Sequence, residues 1–472
     1  MPLDRLSDSE QAVVDAFRVG EMADLSQADD PIVRASVLRF LLLGGGPPPE
    51  RGDLPALRLT GARVTGRLEL ACADVTAPIS LHACDFDEKI EIYEATLRQV
   101  SFRRCGLHGI DASDAVFVAG LRLLDCRSEG TLQLAGAHIA NALLLDGTRL
   151  SDPVMALDGM RLNVGGDVVA QNGFRCRGEV RLTNAEVGGS LRWEGATLEN
   201  PGGTALRAQD LRVGAIANFC TGFSADGALT LSYAQVTSHL CFERATIRGP
   251  LDLRYAHTRY LLLQPTAAPA GLVDLSHMRA GVLRDDPDTW PAELRLDGLR
   301  YEALTDADDH ERRLAWLRRD DRGYRPQTYG QLAAFFRAAG RDDDAREVLL
   351  AGERHRRETL TRLGRLWGHL QDATVGYGYR PGRAVAWLLA LLLVGAVVFQ
   401  ADPPRAAEPA KAPAFTAVAY AADLILPVID LGQQSQYVPR GWTVWVAYLL
   451  ILAGLVFATT ITAAAARRLR RT

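Results

Sequence analysis

The chain has almost no lysine: Lys89 and Lys411 stand against a total of 53 basic residues. It also lacks a basic excess. The formal net charge is −4, which argues against general nucleic-acid binding, because that needs a basic field. The first residues, MPLDRLSDSEQAVVDAF, contain no apolar h-region. No secretory signal is read there, and the soluble part is expected in the cytoplasm. The cysteines number only seven, all between Cys72 and Cys241. An odd count in a large chain and a reducing compartment reads as free thiols. Motifs of chemistry are missing too. There is no GxxxxGKS/T, no GxGxxG opening a helix after a strand, and no HExxH, CxxC or GxSxG. The histidines are scattered over 82–369. No catalytic residue, cofactor or metal ligand is assigned, and an enzyme is not expected.

What is present is a hydrophobic content of 48%, enough for a sizeable core, and an internal repeat. From Leu57 the chain falls into units of about eleven residues, among them LRLTGARVTGR, LELACADVTAP, ISLHACDFDEK and LQLAGAHIANA. Each opens apolar-x-apolar, with a small residue at the sixth position and an apolar one at the eighth. The small column runs Ala62, Ala73, Cys84, Ala95, Cys105, Ala115, Cys126, Ala137. No helical period survives across units, so these are short alternating strands separated by bends. One unit is too short to enclose side chains. Two per turn, about 22 residues, give a coil, and coils must stack because none buries its own core. The half-unit A-x-V-x-x-x resembles the pentapeptide-repeat signature, over residues 57 to about 264. That resemblance implies a right-handed quadrilateral β-helix.

The column Cys84, Cys105, Cys126 is the best cluster of potential ligands, but three thiols in a line cannot make a tetrahedral site. Small-residue packing is the expected role. Two units look longer, around NVGGD (163–167) and NPGGT (200–204), and by register they fall on opposite half-turns. Residues 1–50 are expected as a helical N-terminal cap, protecting the exposed strand edge. Residues 51–304 form the β-helix. Residues 305–370 form a helical connector whose αα-hairpin turns at Gly340-Arg341 and is similar to a single tetratricopeptide-type unit.

Residues 371–472 read as a membrane domain. Apolar runs predict transmembrane helices at 384–400 and 442–464, with Trp387, Trp442, Trp445 and Tyr448 near their ends. Arg380, Arg383, Arg467, Arg468, Arg470 and Arg471 flank them. The positive-inside rule then gives a multi-pass inner-membrane protein with both termini cytoplasmic. Between the spans lies a re-entrant or interfacial segment, 413–431. Its acids and amides make Asp423, Pro427, Asp430, Gln433 and Gln434 the candidate functional residues of that domain. Thr374-Val375-Gly376-Tyr377-Gly378 spells a potassium-filter pentapeptide, but it precedes the first run, so no filter is assigned.

The fold class expected is therefore an all-β right-handed β-helix (solenoid) with small α-helical caps and a C-terminal two-helix transmembrane domain. As a set, IVRASVLRFLLLGG, RPQTYGQLAAFFRAAGRDDDAREVLLAGERHRR, DATVGYGYRPGRA and LILPVIDLGQQ resemble a bacterial family of β-helix membrane proteins, often labelled membrane-associated oxidoreductases. The resemblance implies a membrane setting and, by its label, redox activity. The residues themselves point to a membrane-anchored, non-enzymatic interaction scaffold. The alternative is an oligomeric two-span channel or membrane effector regulated by the β-helix. The expected partners are the lipid bilayer, an unidentified protein and a further copy of the chain, with no nucleic acid.

Overall fold

The computed structural model describes residues 6–46, 52–305, 309–362, 381–408, 412–426 and 430–469, with isolated positions between 364 and 372. The chain divides into two compact units, residues 1–331 and 332–472.

The first unit is a parallel β-solenoid of about 11 turns. Each coil carries four short β segments, two in each of two sheets, and each eleven-residue unit supplies one segment to each sheet. Val100 pairs with Leu121, and Leu121 with Leu143, so the coil is two units, as the repeat predicts. The corners have a common cause. The fifth residue of successive units is left-handed: φ is 54° at Glu94, 53° at Arg104, 54° at Asp114 and 53° at Asp125. Such a residue costs roughly 1–3 kcal/mol when it is not glycine. Parallel ladders on both sides hold it in place, as Glu94 N–H donates to Ser113 O and Arg104 N–H to Leu124 O. The bend turns the sixth residue inward at a crowded corner. Only small side chains fit there, and Ala95, Ala115 and Ala137 are fully buried.

Larger inward positions fill the bore. Trp193, Phe219 and Phe242 stack along it at centroid spacings of 5.8 and 5.3 Å. The sulfurs of Cys84, Cys105 and Cys126 are buried, and Cys105 Sγ donates to the carbonyls of Leu81 and Arg103 at 3.5 and 3.3 Å. Burial pushes the Cys176 thiol up to about 12. The expectation that every thiol is free needs correcting: Cys220 and Cys241, on adjacent coils, form a disulfide.

Both ends of the solenoid are closed. Helix α1 (Asp8–Val19) starts in a capping box between Ser7 and Glu10. Glu10 also receives the guanidinium of Arg34 at 2.7 Å. The segment joining α1 to α2 (Ala35–Leu42) adds two strands, Met22–Asp24 on Leu57–Thr60 and Ile32–Arg34 on Arg63–Thr65. The N-terminal edge is thus covered by strand as well as helix. At the other end α3 (His310–Leu317) inserts Arg313, which is 1% exposed, against Asp285 at 2.6 Å. Helix α4 (Pro326–Ala338) follows.

In the second unit the turn at Gly340, with φ 75°, leads into α5 (Asp342–Glu358), as the sequence predicts. Two apolar helices come next, α6 (Pro381–Ala401) and, after the short α7 (Ala417–Ile425), α8 (Thr443–Leu469). Among the described residues, however, no helix is long and apolar enough to cross a membrane. The two-helix transmembrane domain with spans 384–400 and 442–464 is corrected accordingly. So is the multi-pass inner-membrane location, because the arginine count has no spans to orient. The helices instead build a small core around α7 from Phe399, Tyr420, Leu424, Ile425, Ala447 and Leu450. Gly454 permits this approach, since a Cβ there would stand 2.0 Å from Ile425 O. The pentapeptide Thr374–Gly378 lies outside the described residues.

Candidate functional site

A recess runs along the first sheet over four consecutive coils. Asn163, Glu186, Arg212 and Gln235 occupy one outward row, in register from strand to strand. Two residues on, Gly165, Gly188 and Gly214 form the floor. A Cβ at Gly188 would lie 2.4 Å from Gly165 O, and one at Gly214 would lie 2.0 Å from Gly188 O. At Gly165, Gly188 and Gly214 the bend packs coil on coil too closely for a Cβ, and the missing side chains leave a groove of about 350 Å³. Arg212 donates to Glu186 at 2.6 Å. The row therefore presents an amide, a neutralised carboxylate–guanidinium pair and a second amide. Such a row offers hydrogen-bond donors and acceptors at the surface, and its one carboxylate is already paired with Arg212.

The sequence held a signal for this groove. NVGGD, EVGGS and RVGA place glycine at the same position of alternate units. Residues 163–167 are thus a regular bend rather than an insertion. The extra residues lie at 152–154 and 200–203, where the second sheet bulges out of register. Segments 163–167 and 200–204 do sit on different sheets.

The candidate residues between α6 and α8 are brought together in part. Asp423 is 4% exposed and accepts from the backbone N–H groups of Leu431 at 2.7 Å, Gln433 at 2.9 Å and Gln434 at 2.8 Å. Gln433 is buried and donates to Ala414 O at 3.2 Å. Asp430 is exposed and accepts from Gly432 N–H. Pro427 lies outside the described residues. Burial works to raise the Asp423 pKa, and the three N–H donors outweigh it, holding the carboxyl below the usual carboxylate range. A lowered folded-state pKa stabilises above the unfolded value, and the contribution is lost as pH falls through the folded one. Acidification below about pH 4 is therefore expected to loosen the α7–α8 segment. Hydrogen exchange at Leu431, Gln433 and Gln434 checks this. Protection factors there that do not change on acidification, or a matching acid response in Asp423→Asn, would count against the assignment.

Among the described residues no group of three His, Cys, Asp or Glu side chains could hold a metal ion. The architecture defines the chain as a parallel β-solenoid repeat protein with helices packed on it. No family model, curated protein or solved structure matches it.

Proposed function

We propose that the protein is a non-enzymatic interaction scaffold whose solenoid is a rigid display surface. The observation that carries this reading is the in-register outward row Asn163–Glu186–Arg212–Gln235 above its glycine floor. Strand stacking fixes the row spacing at about 4.8 Å, so an extended protein segment meets pre-positioned donors and acceptors and little ordering is lost on the scaffold side. The likeness of the repeat to pentapeptide-repeat β-helices is in keeping with it. Photo-crosslinking residues placed at Glu186 and Gln235 are expected to give a discrete protein adduct in cells, and one at the exposed Arg149 of the second sheet none. Charge reversal at Arg212 should abolish the adduct. Equal yields from both sheets, or none from the groove, would overturn the reading.

The helical unit supports a lipid surface as a further partner. Leu389, Leu393 and Val397 of α6 and Trp445, Leu449 and Leu452 of α8 are all more than half exposed. An apolar area of that kind marks an interaction face, and Trp442, Trp445 and Tyr448 are of the type that settles at a bilayer interface. Flotation with phosphatidylglycerol-containing vesicles should carry the protein upward, and Leu393→Glu with Leu452→Glu should leave it at the bottom. Equal flotation of both forms would refute lipid seating through this face.

A further inference from the structure

The last three coils of the first sheet differ in character from the groove. The outward row that begins with Asn163 continues from Gln235 as His257, Arg279 and Arg300, in register on adjacent strands. Arg259 projects from the same face. Arg259, Arg279 and Arg300 are exposed and make no ion pair with any described residue, whereas Arg212, three coils earlier, is paired with Glu186. Like charges directly opposite on neighbouring strands repel. The row is therefore unfavourable by itself, and an anion bound across it removes that cost.

Beside this row the rings of His239 and Tyr260 stack, with centroids 4.9 Å apart and planes within 17°. The same row then continues as Val282 and Ala303. The aromatic stack stops where the side chains shorten. A cavity of about 410 Å³ opens there, lined by His239, Tyr260, Leu262, Arg284 and Thr305. From Tyr260 to the row of His257 is about 10 Å along the strand, at roughly 3.3 Å per residue. A recess with one wall of His239, Tyr260 and Leu262 thus lies one short span from guanidiniums that make no ion pair among the described residues.

We propose that this face binds a nucleotide, a planar heterocycle carrying phosphates. The ring lies in the recess against Tyr260 and Leu262, extending the interrupted stack. The phosphates reach the guanidiniums of Arg279 and Arg300, whose planar donors suit phosphate oxygens. The cavity volume lies within the range of small-ligand sites. The site is distinct from the groove at Asn163–Gln235 and does not depend on it.

Titration calorimetry of the full chain with ADP, adenosine and inorganic pyrophosphate tests the proposal. ADP is expected to bind more tightly than either fragment. Arg279→Gln with Arg300→Gln should weaken ADP and pyrophosphate by about tenfold or more, as loss of charged hydrogen bonds does, while Arg→Lys at both should weaken them less, keeping the charge and losing the planar donors. Tyr260→Leu should weaken ADP about fivefold to tenfold through lost stacking and leave pyrophosphate unchanged. All these side chains are exposed or at the surface, and an unchanged melting curve verifies that each variant is folded. No heat with ADP at millimolar concentration, or ADP affinity unaltered in the folded variants, would overturn it. So would pyrophosphate binding as tightly as ADP, which would mean a plain anion patch with no use for the recess.

Discussion

Substituting Ala95 by arginine is expected to disrupt the middle of the solenoid. The Ala95 side chain is 0% exposed, at a corner where Ala115 occupies the same position on the next coil and is equally buried. A guanidinium has no room there and no carboxylate to meet. Overpacking of such a corner costs about 1–3 kcal/mol, and an unpaired buried charge adds roughly 3–5 kcal/mol. Coils stabilise only their neighbours, so the damage should appear first in the adjoining strands. Arginine at Glu91, four residues earlier, is the control. Glu91 faces outward and pairs with Arg67 at 3.2 Å, an exposed ion pair whose loss costs under about 1 kcal/mol. Chemical denaturation of both variants separates the cases, and equal midpoints would mean that the register is wrong.

The second large effect is expected at the C-terminal end of the solenoid. Asp285 and Arg313 are each about 1% exposed, and Asp285 Oδ2 takes both Arg313 Nη1 at 2.6 Å and Trp290 Nε1 at 2.7 Å. Arg313 also lies 5.5 Å from the Trp316 ring. Asp285→Ala leaves the guanidinium buried without its counter-charge, which costs about 3–5 kcal/mol. The pair itself is not the source of that sum. Asp285 Oδ1 and Arg313 Nε have no hydrogen-bond partner among the described residues, so the desolvation of both ions is incompletely offset. Asp285→Leu combined with Arg313→Met should therefore cost less than Asp285→Ala, about 1–3 kcal/mol, for the buried Trp290 Nε1–H left without its acceptor. Hydrogen exchange in strands Arg279–Asp285 and Arg300–Thr305 reads the result. A double variant as weak as Asp285→Ala would show that the ion pair, and not the plugging of the end by α3, holds the last coils.

Much of the solenoid was legible because its period is short and its side-chain chemistry is local. Apolar residues at the first, third and eighth positions and a small residue at the sixth can each be read without knowing what they touch. Two such units make one coil in the structure. The left-handed fifth position was hidden, because it is filled by Cys72, Glu94, Arg104, Asp125, Tyr233 and His277 as well as by glycine. Its conformation is imposed by ladders on both sides, not chosen by the side chain. The apolar runs near the C-terminus illustrate the converse. Hydropathy counts residues along one helix, whereas Phe399, Ala447 and Leu450 are spent on a core around α7.

The sequence by itself thus determined the repeat, the inward columns and the coil length, since all follow from periodicity and residue size within a few dozen positions. Only the tertiary structure decided which outward residues became neighbours. Asn163 and Gln235, or His239 and Thr305, are more than sixty residues apart, yet they line one groove or one cavity. Their placement depends on the number of residues in every intervening coil, with the extra residues at 200–203, between Asn163 and Gln235, set aside in a bulge. Parallel stacking turns the count into position: a residue added within a bulge leaves the face unchanged, and the same residue added within a strand would turn the rest of that strand to the opposite face.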